Sequence, residues 1–266
     1  MKYMLRPIIS NILLFIESLL FFSIAFILAL KITVLNENSV IKQMKKTNYY
    51  EKVNEEIKDT MKYITRKSGY KDYIVDEVIS EEDVKNDINK FVRSIYKKEE
   101  LQLNTEHLKE NITINLEKYL EEKNITKTDT EKNTYINKII STYKNEISLM
   151  HQMNDISDTI SKTNTISNSL LLIFIIDLIA LIIINKKVFN KKEYHVLALA
   201  SALSLIGTNI FIKTLNIKNL FIYNNTVSEV IKRTLNKVSQ ANILFTVLCI
   251  IIGIVLYKLA NEDEKI

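Results

Sequence analysis

The chain has 266 residues, of which 47% are hydrophobic and 25% charged, and its formal net charge is +5. Its 3 glycines and 1 proline argue against a hairpin-rich β fold, because tight hairpin turns depend on such residues. The single cysteine, Cys249, excludes an intramolecular disulfide and a cysteine-based metal site. We therefore predict an all-α protein.

Four long apolar runs organise the chain, at residues 8–30, 170–185, 196–212 and 243–257. A helix of about 20 residues crosses a hydrocarbon core of roughly 30 Å, and these runs approach that length. Because lipid offers the backbone no hydrogen-bond partners, each run is predicted to be a transmembrane helix. The first run is too long for a signal-peptide core, so we expect it to be a retained anchor in the lipid bilayer.

Basic residues near the spans predict which side of the membrane each loop occupies. The short N-terminus, residues 1–7, is basic, and the loop 186–195 contains four lysines, Lys186, Lys187, Lys191 and Lys192. Short basic loops stay cytoplasmic. Both termini, including the tail 258–266, are therefore predicted to lie on the cytoplasmic side of the plasma membrane. Residues 31–169 are then extracytoplasmic. The basic loop 213–242, which this topology places outside, is a competing signal.

Residues 31–169 form the predicted water-exposed domain, with 23 Lys and Arg against 24 Asp and Glu. The net positive charge therefore lies near the membrane, which favours lipid contact and argues against nucleic-acid binding. Apolar residues recur at helical spacing in three stripes: Val53, Ile57, Met61 and Ile64; Val84, Ile88, Phe91 and Ile95; and Leu108, Ile112, Leu116 and Tyr119.

Capping signals mark where these helices begin and end. Three pairs place a capping side chain three residues before an acid: Asn48 with Glu51, Ser80 with Asp83, and Thr128 with Glu131. Gly69 is the expected end of the first helix.

A fourth stripe runs from Ile136 to Ile160 without a helix breaker. It predicts one continuous helix from Glu131 to about Asn185, roughly 80 Å long, as the stalk of a helical bundle. The abundant tyrosines of this domain indicate either a ligand-gripping face or ordinary packing, and we favour packing.

No catalytic motif is present in the sequence. The three histidines, His107, His151 and His195, are scattered, and none of them belongs to an H-E-x-x-H pair. Neither a phosphate-binding loop nor a nucleophile elbow occurs. We expect a non-enzymatic protein without a cofactor or a metal.

Two acids inside the apolar runs are the sharpest candidates for a functional site. Glu17 and Asp177 both lie roughly 12–14 Å along their predicted spans, near the bilayer midplane. Asn209 and Ser204 add further polar groups in the third span. Intramembrane acids mark functional sites by default. They either hydrogen-bond across helices as structural contacts or form a proton- or cation-coupled site, and both alternatives stay open.

The segment after the third span predicts a separate amphipathic helix. Thr226 and Glu229 have the spacing of a capping box, and the apolar residues Val227, Ile231, Leu235 and Val238 share one face. Such a helix is typical of one lying on the outer membrane surface.

The stretch from Val34-Leu35-Asn36 to Tyr49-Tyr50-Glu51-Lys52-Val53 resembles four-span membrane proteins of low-GC Gram-positive bacteria, a group that implies no activity. The layout is also similar to that of MacB/FtsX-type permease subunits, although their external domains usually contain β-structure. Two functional hypotheses follow. In the first, the external domain binds a membrane or envelope protein or another copy of the chain, senses an envelope signal, or scaffolds a complex. The second is a transport component that uses Glu17 and Asp177.

Overall fold

The computed structural model describes residues 2–148, 153–185, 194–214 and 225–262, and its regular elements are all helical. The all-α prediction is confirmed for these ranges, which contain no strand. The α-helices are α1 (Lys2–Ile32), α2 (Glu37–Lys46), α3 (Tyr49–Lys67), α4 (Glu81–Lys97), α5 (Glu106–Glu122), α6 (Asp129–Ser148), α7 (Met153–Asn185), α8 (Tyr194–Thr214) and α9 (Asn225–Glu262). A short 3₁₀ helix covers Asp72–Ile74.

Four helices contain a stretch that is long and apolar enough to cross a membrane. These stretches are Asn11–Ile32 in α1, Ser157–Ala180 in α7, His195–Thr214 in α8 and Ser228–Lys258 in α9. Their length and composition are those of a multi-pass membrane protein, as the four apolar runs predict. The chain divides into two compact units. We call Met1–Val40 with Lys162–Ile266 the apolar unit, and Ile41–Ser161 the helical domain.

In the apolar unit, α1, α8 and α9 pack together as a three-helix bundle. Two clusters of buried residues join them, one around Ala25, Ala202, Leu205 and Cys249 and the other around Ala29, Ile212, Val238 and Ala241. Residue numbers rise together along α1 and α8 and fall along α9, so α8 runs parallel to α1 and α9 runs antiparallel. Small side chains at these contacts let the helix backbones approach closely, as is usual in membrane bundles.

Helix α7 does not share in this packing. Only 6% of its apolar stretch is buried, against 39% in each of the other three helices. A hydrogen bond from Lys31 Nζ to Asn168 Oδ1 holds the start of the apolar run of α7 beside the end of α1. Within the described part of the apolar unit, α7 therefore leaves most of its apolar surface open.

The helical domain is built from α3 to α6, whose apolar stripes meet in one core. Four members of these stripes are 0% exposed: Ile57, Met61, Val84 and Ile112. Ile64 is the one member of the three predicted stripes that is only half-buried. Spacings of three and four residues therefore identified the buried faces correctly, because a helix repeats every 3.6 residues.

Two of the three predicted capping boxes form. The Ser80 hydroxyl accepts from Asp83 N at 3.2 Å, and Ser80 N donates to Asp83 Oδ2 at 3.1 Å. Thr128 and Glu131 make the same pair of bonds at 3.3 and 3.0 Å. The third prediction, a box at Asn48, is wrong. Asn48 has φ 52° and makes no side-chain cap bond, because it forms the tight left-handed turn between α2 and α3.

The end of α3 follows the prediction. Gly69 has φ 83°, Gly69 N donates to Arg66 O at 3.0 Å, and Tyr70 N donates to Thr65 O at 3.0 Å. This is the Schellman arrangement, in which glycine takes the left-handed position.

The stretch after the third span differs from the prediction of a separate surface helix. Residues from Asn225 through the fourth apolar run form one helix, α9, because no glycine or proline interrupts the chain before Gly253. Thr226 and Glu229 consequently lie inside the helix and not at its cap. Val238, expected on the membrane surface, is 1% exposed and packs near Ala29 and Ile212.

Two predictions fall partly outside the described residues. The continuous helix from Glu131 to Asn185 is described as α6 and α7, and residues 149–152 between them lie outside the description. The topology-setting residues Lys186, Lys187, Lys191 and Lys192 also lie outside it.

Candidate functional site

The predicted intramembrane residues separate into two groups. Glu17 is 0% exposed within the bundle of α1, α8 and α9, and Asn209 on α8 is 8% exposed. Asp177 on α7 and Ser204 on α8 are exposed instead. The structure therefore does not bring Glu17 and Asp177 into one site, because α7 remains outside the bundle.

Around Glu17 the bundle carries hydroxyl groups. Ser201 Oγ of α8 lies 3.2 Å from the backbone oxygen of Ser18 and 2.9 Å from that of Leu197, and it donates to these acceptors. This contact places Glu17 at the level of Ser201. Asn209 lies about two helical turns further along α8, and the apolar cluster of Ala25, Ala202, Leu205 and Cys249 occupies the levels between them.

Asn242 of α9 is a buried polar residue that the sequence reasoning missed. It is 0% exposed, and neither its Oδ1 nor its Nδ2 has a hydrogen-bond partner. The antiparallel register, in which Gly253 lies opposite Ala198, places Asn242 opposite Asn209, whose Oδ1 also lacks a partner. Asn242 directly precedes the fourth apolar run, 243–257, so the sequence analysis assigned it to the external loop and not to a span.

The helical domain contains a second candidate site, a cavity of about 240 Å³ bordered by α4, α5 and α6. Its lining residues are Val78, Ile79, Asp83, Asn86, Asp87, Lys90, Asn104, His107, Leu108 and Tyr143. Side chains of α5 hold the segment before α4 in place. Asn111 Nδ2 donates to Val78 O at 3.4 Å, and Asn115 Nδ2 donates to Ile74 O at 3.1 Å.

Asp87 is the central polar group of this cavity. Asp87 is 6% exposed, and its Oδ2 accepts a hydrogen bond from Tyr143 Oη at 2.8 Å. Lys90 Nζ lies 3.0 Å from Oδ1 and remains half-exposed at the rim. Burial raises the pKa of Tyr143 well above its ordinary value, and the Asp87 carboxylate raises it further. Tyr143 therefore stays protonated and acts as the donor.

Asp83 and His107 provide further charge and hydrogen-bonding capacity at the cavity wall. The Ser80 hydroxyl donates to the Asp83 carboxylate and lowers its pKa, and the Ser80 N–H and the nearby His107 lower it too. Besides His107, the cavity side chains include two acids, Asp83 and Asp87, and one base, Lys90. This arrangement suits a small polar molecule that presents donor groups or an amine.

The sequence contained a signal for Asp87 that the stripe analysis passed over. Asp87 lies on the same face of α4 as Val84, Ile88 and Phe91. An acid on an otherwise apolar face requires a buried partner, which Tyr143 of α6 supplies. That partner is 56 residues away in sequence. Helical periodicity alone could not identify it.

Most tyrosines named here for the helical domain pack into its core. The buried ones are Tyr49, Tyr50, Tyr119, Tyr135 and Tyr143, whereas Tyr63 and Tyr73 are exposed. Tyr135 Oη and Thr65 Oγ1 are 2.8 Å apart, which ties α6 to α3.

No three His, Cys, Asp or Glu side chains among the described residues are grouped to hold a metal ion. Compared with protein-family models, with curated proteins and with solved structures, the chain gives no match.

Proposed function

We propose that the protein is a non-enzymatic integral protein of the plasma membrane, with both termini in the cytoplasm, whose external helical domain binds a small polar ligand from the envelope. The observation that supports this most is the buried Asp87 carboxylate at the wall of the 240 Å³ cavity. It joins α4 to α6 and lies beside the groups that would contact a ligand.

The same contact suggests how binding would be sensed. Asp87 belongs to α4, and its partner Tyr143 belongs to α6. In the chain, α6 precedes α7, which contains one of the four candidate membrane spans. A ligand that competes for Asp87 would change the packing of α6. Such a change needs a differential affinity of the ligand for two arrangements of the domain.

Thermal unfolding of the full chain in detergent tests ligand binding. Amine-bearing solutes such as amino acids, amino sugars and polyamines would be compared with neutral and acidic solutes. Ligand at about 100 times its Kd stabilises a protein by about 2.7 kcal/mol, which raises the midpoint by several degrees. We expect one class of amine-bearing solute to raise the thermal midpoint in this way.

Two tryptophan variants make this test specific. His107→Trp fills the cavity and should abolish the response, while Lys109→Trp on the opposite side of α5 should keep it. Both residues are exposed, so neither change disturbs the core. A chain that responds to no solute class, or a His107→Trp variant that responds fully, would contradict the proposal.

Cysteine labelling tests the topology. In a Cys249→Ser background, a membrane-impermeant reagent should modify Lys123→Cys in intact cells, because Lys123 is exposed in the helical domain. It should leave Asn190→Cys, in the basic loop, unmodified. The reverse result would place the helical domain in the cytoplasm.

A transport component is the second candidate, supported by the fully buried Glu17 in the bundle. Glu17→Gln keeps hydrogen-bonding capacity and removes the proton-carrying group. Loss of a coupled flux in vesicles, with folding unchanged, would favour transport. An unchanged flux, in a protein that is equally stable or more stable, would indicate that Glu17 is structural.

A further inference from the structure

Asp177 lies near the middle of the apolar run 170–185, and it is exposed on the protein surface. A carboxyl group that faces lipid is costly, so such residues normally face a partner or a water-filled cavity. Its helix, α7, leaves most of its apolar surface open within the described apolar unit. The face of α7 that carries Asp177 therefore requires a cover that supplies polar groups at the same depth.

The depth of Asp177 follows from the contact between Lys31 and Asn168. Asp177 is nine residues beyond Asn168, and Phe22 is nine residues before Lys31, so both lie roughly 13 Å from that contact. Phe22 packs on the cluster that contains Leu205 of α8. Asp177 therefore lies at the same depth in the membrane as Leu205 of α8.

An exposed face of α8 has matching groups at this depth. Ser204 and Thr208 lie one turn apart, and their hydroxyls donate to the backbone oxygens of Ala200 and Ser204 at 3.1 and 3.0 Å. Their oxygens remain open as acceptors. A Cβ added at Gly207, between them, would meet nothing within 4 Å, so another helix can approach the backbone here.

We propose that α7 of one copy packs on this face of α8 in a second copy, and that the carboxyl group of Asp177 forms a hydrogen bond with the hydroxyl group of Ser204 or Thr208 of that copy. A two-fold axis along the membrane normal brings equal depths together. Each copy carries both the donor and the acceptors, so the interface is self-complementary and closes as a dimer.

Cross-linking between two differently tagged copies tests this interface in native membranes, in a Cys249→Ser background. One copy carries Leu170→Cys, on the Asp177 face of α7, and the other carries Phe211→Cys, on the Ser204 face of α8. Both residues are exposed and lie at nearly the same depth. Ile210→Cys is the matched control, since Ile210 is exposed at that depth on another face of α8.

Oxidation should give a dimer with both tags from the Leu170 and Phe211 pair, and little from the control pair. Asp177→Leu should weaken dimerisation roughly five- to tenfold, because two interhelical hydrogen bonds are lost per dimer. Asp177→Asn should retain most of it, since an amide still donates. Two results would each overturn the proposal: equal cross-linking of the Ile210→Cys control, or no effect of Asp177→Leu. A third chain, with both Leu170→Cys and Phe211→Cys, tests pairing within one copy, and a disulfide that forms only within this chain would also overturn the proposal.

Discussion

The helical domain and the apolar unit differ in how many hydrogen bonds of their buried side chains join separate helices. In the helical domain, bonds join separate helices: Tyr143 to Asp87 at 2.8 Å, and Ser157 Oγ to Ile95 O at 2.9 Å. In the apolar unit, buried hydroxyls mostly bond within their own helix. Thr234 donates to Val230 O and Thr246 donates to Asn242 O.

The difference follows from what holds each unit together. Helices of the helical domain are short, and such helices depend on tertiary packing for stability, so bonds between helices help to order them. A membrane helix forms by itself in lipid, and close packing of small residues then joins it to its neighbours. We therefore expect loss of a buried polar group to destabilise the helical domain and to leave the apolar unit unharmed or more stable.

The largest expected effect is that of Tyr143→Ala. Tyr143 is 2% exposed, and its loss leaves a cavity and removes the hydroxyl partner of Asp87. The free energy of unfolding of the helical domain should fall by about 3–5 kcal/mol. Pulse proteolysis in urea on the full chain measures it. Tyr63→Ala, at a residue that is 51% exposed, is the control and should cost far less. Equal losses would contradict the described core.

Asn242→Leu should have the opposite sign. It removes two buried polar atoms without partners, so the apolar unit should become about 1–3 kcal/mol more stable. Unfolding in SDS from lipid bicelles measures this change. Thr246→Val, one turn away, removes a hydroxyl that is already bonded and should change stability less. A destabilised Asn242→Leu variant would show that the amide has a partner in the membrane.

Gly69→Ala examines the end of α3. At φ 83° an alanine is strained, so the helical domain should lose about 1 kcal/mol. Asparagine tolerates this conformation better, and Gly69→Asn should therefore cost less than alanine. The same urea titration distinguishes them. No loss in either variant would contradict the left-handed turn.

The smallest effect concerns pH and the capping residue Glu131. The hydrogen bond from Lys127, followed by those from Thr128, lowers the pKa of Glu131 from 4.5 to about 2. A lowered pKa in the folded state adds stability above pH 4.5 that is lost as the pH falls towards 2.

Glu131→Gln removes this pH-dependent contribution. The wild-type protein should therefore lose its advantage over Glu131→Gln between those pH values, as measured by thermal midpoints. Glu110→Gln, at an exposed acid of α5, is the control. A difference between wild type and Glu131→Gln that does not change with pH would contradict this capping role.

Much of the fold could be predicted from local signals. The boxes at Ser80 and Thr128 and the turn at Gly69 depend on residues three to five positions apart, so the sequence contains all of their parts. Asn48 shows the limit of such reasoning. Its spacing to Glu51 suits a capping box, but the short connection between α2 and α3 requires a left-handed residue there.

The sequence by itself determined the all-α class, the four apolar stretches and the position of each acid along its helix, because rise per residue and side-chain period are local properties. Only the tertiary structure decided what each helix faces. Glu17 became buried because α8 and α9 cover α1, whereas Asp177 remained exposed because α7 stays outside that bundle. Asp87 likewise became a buried group at the wall of a cavity because α6 brings Tyr143 to it. Contacts between residues so distant in the chain depend on packing geometry, which no local period encodes.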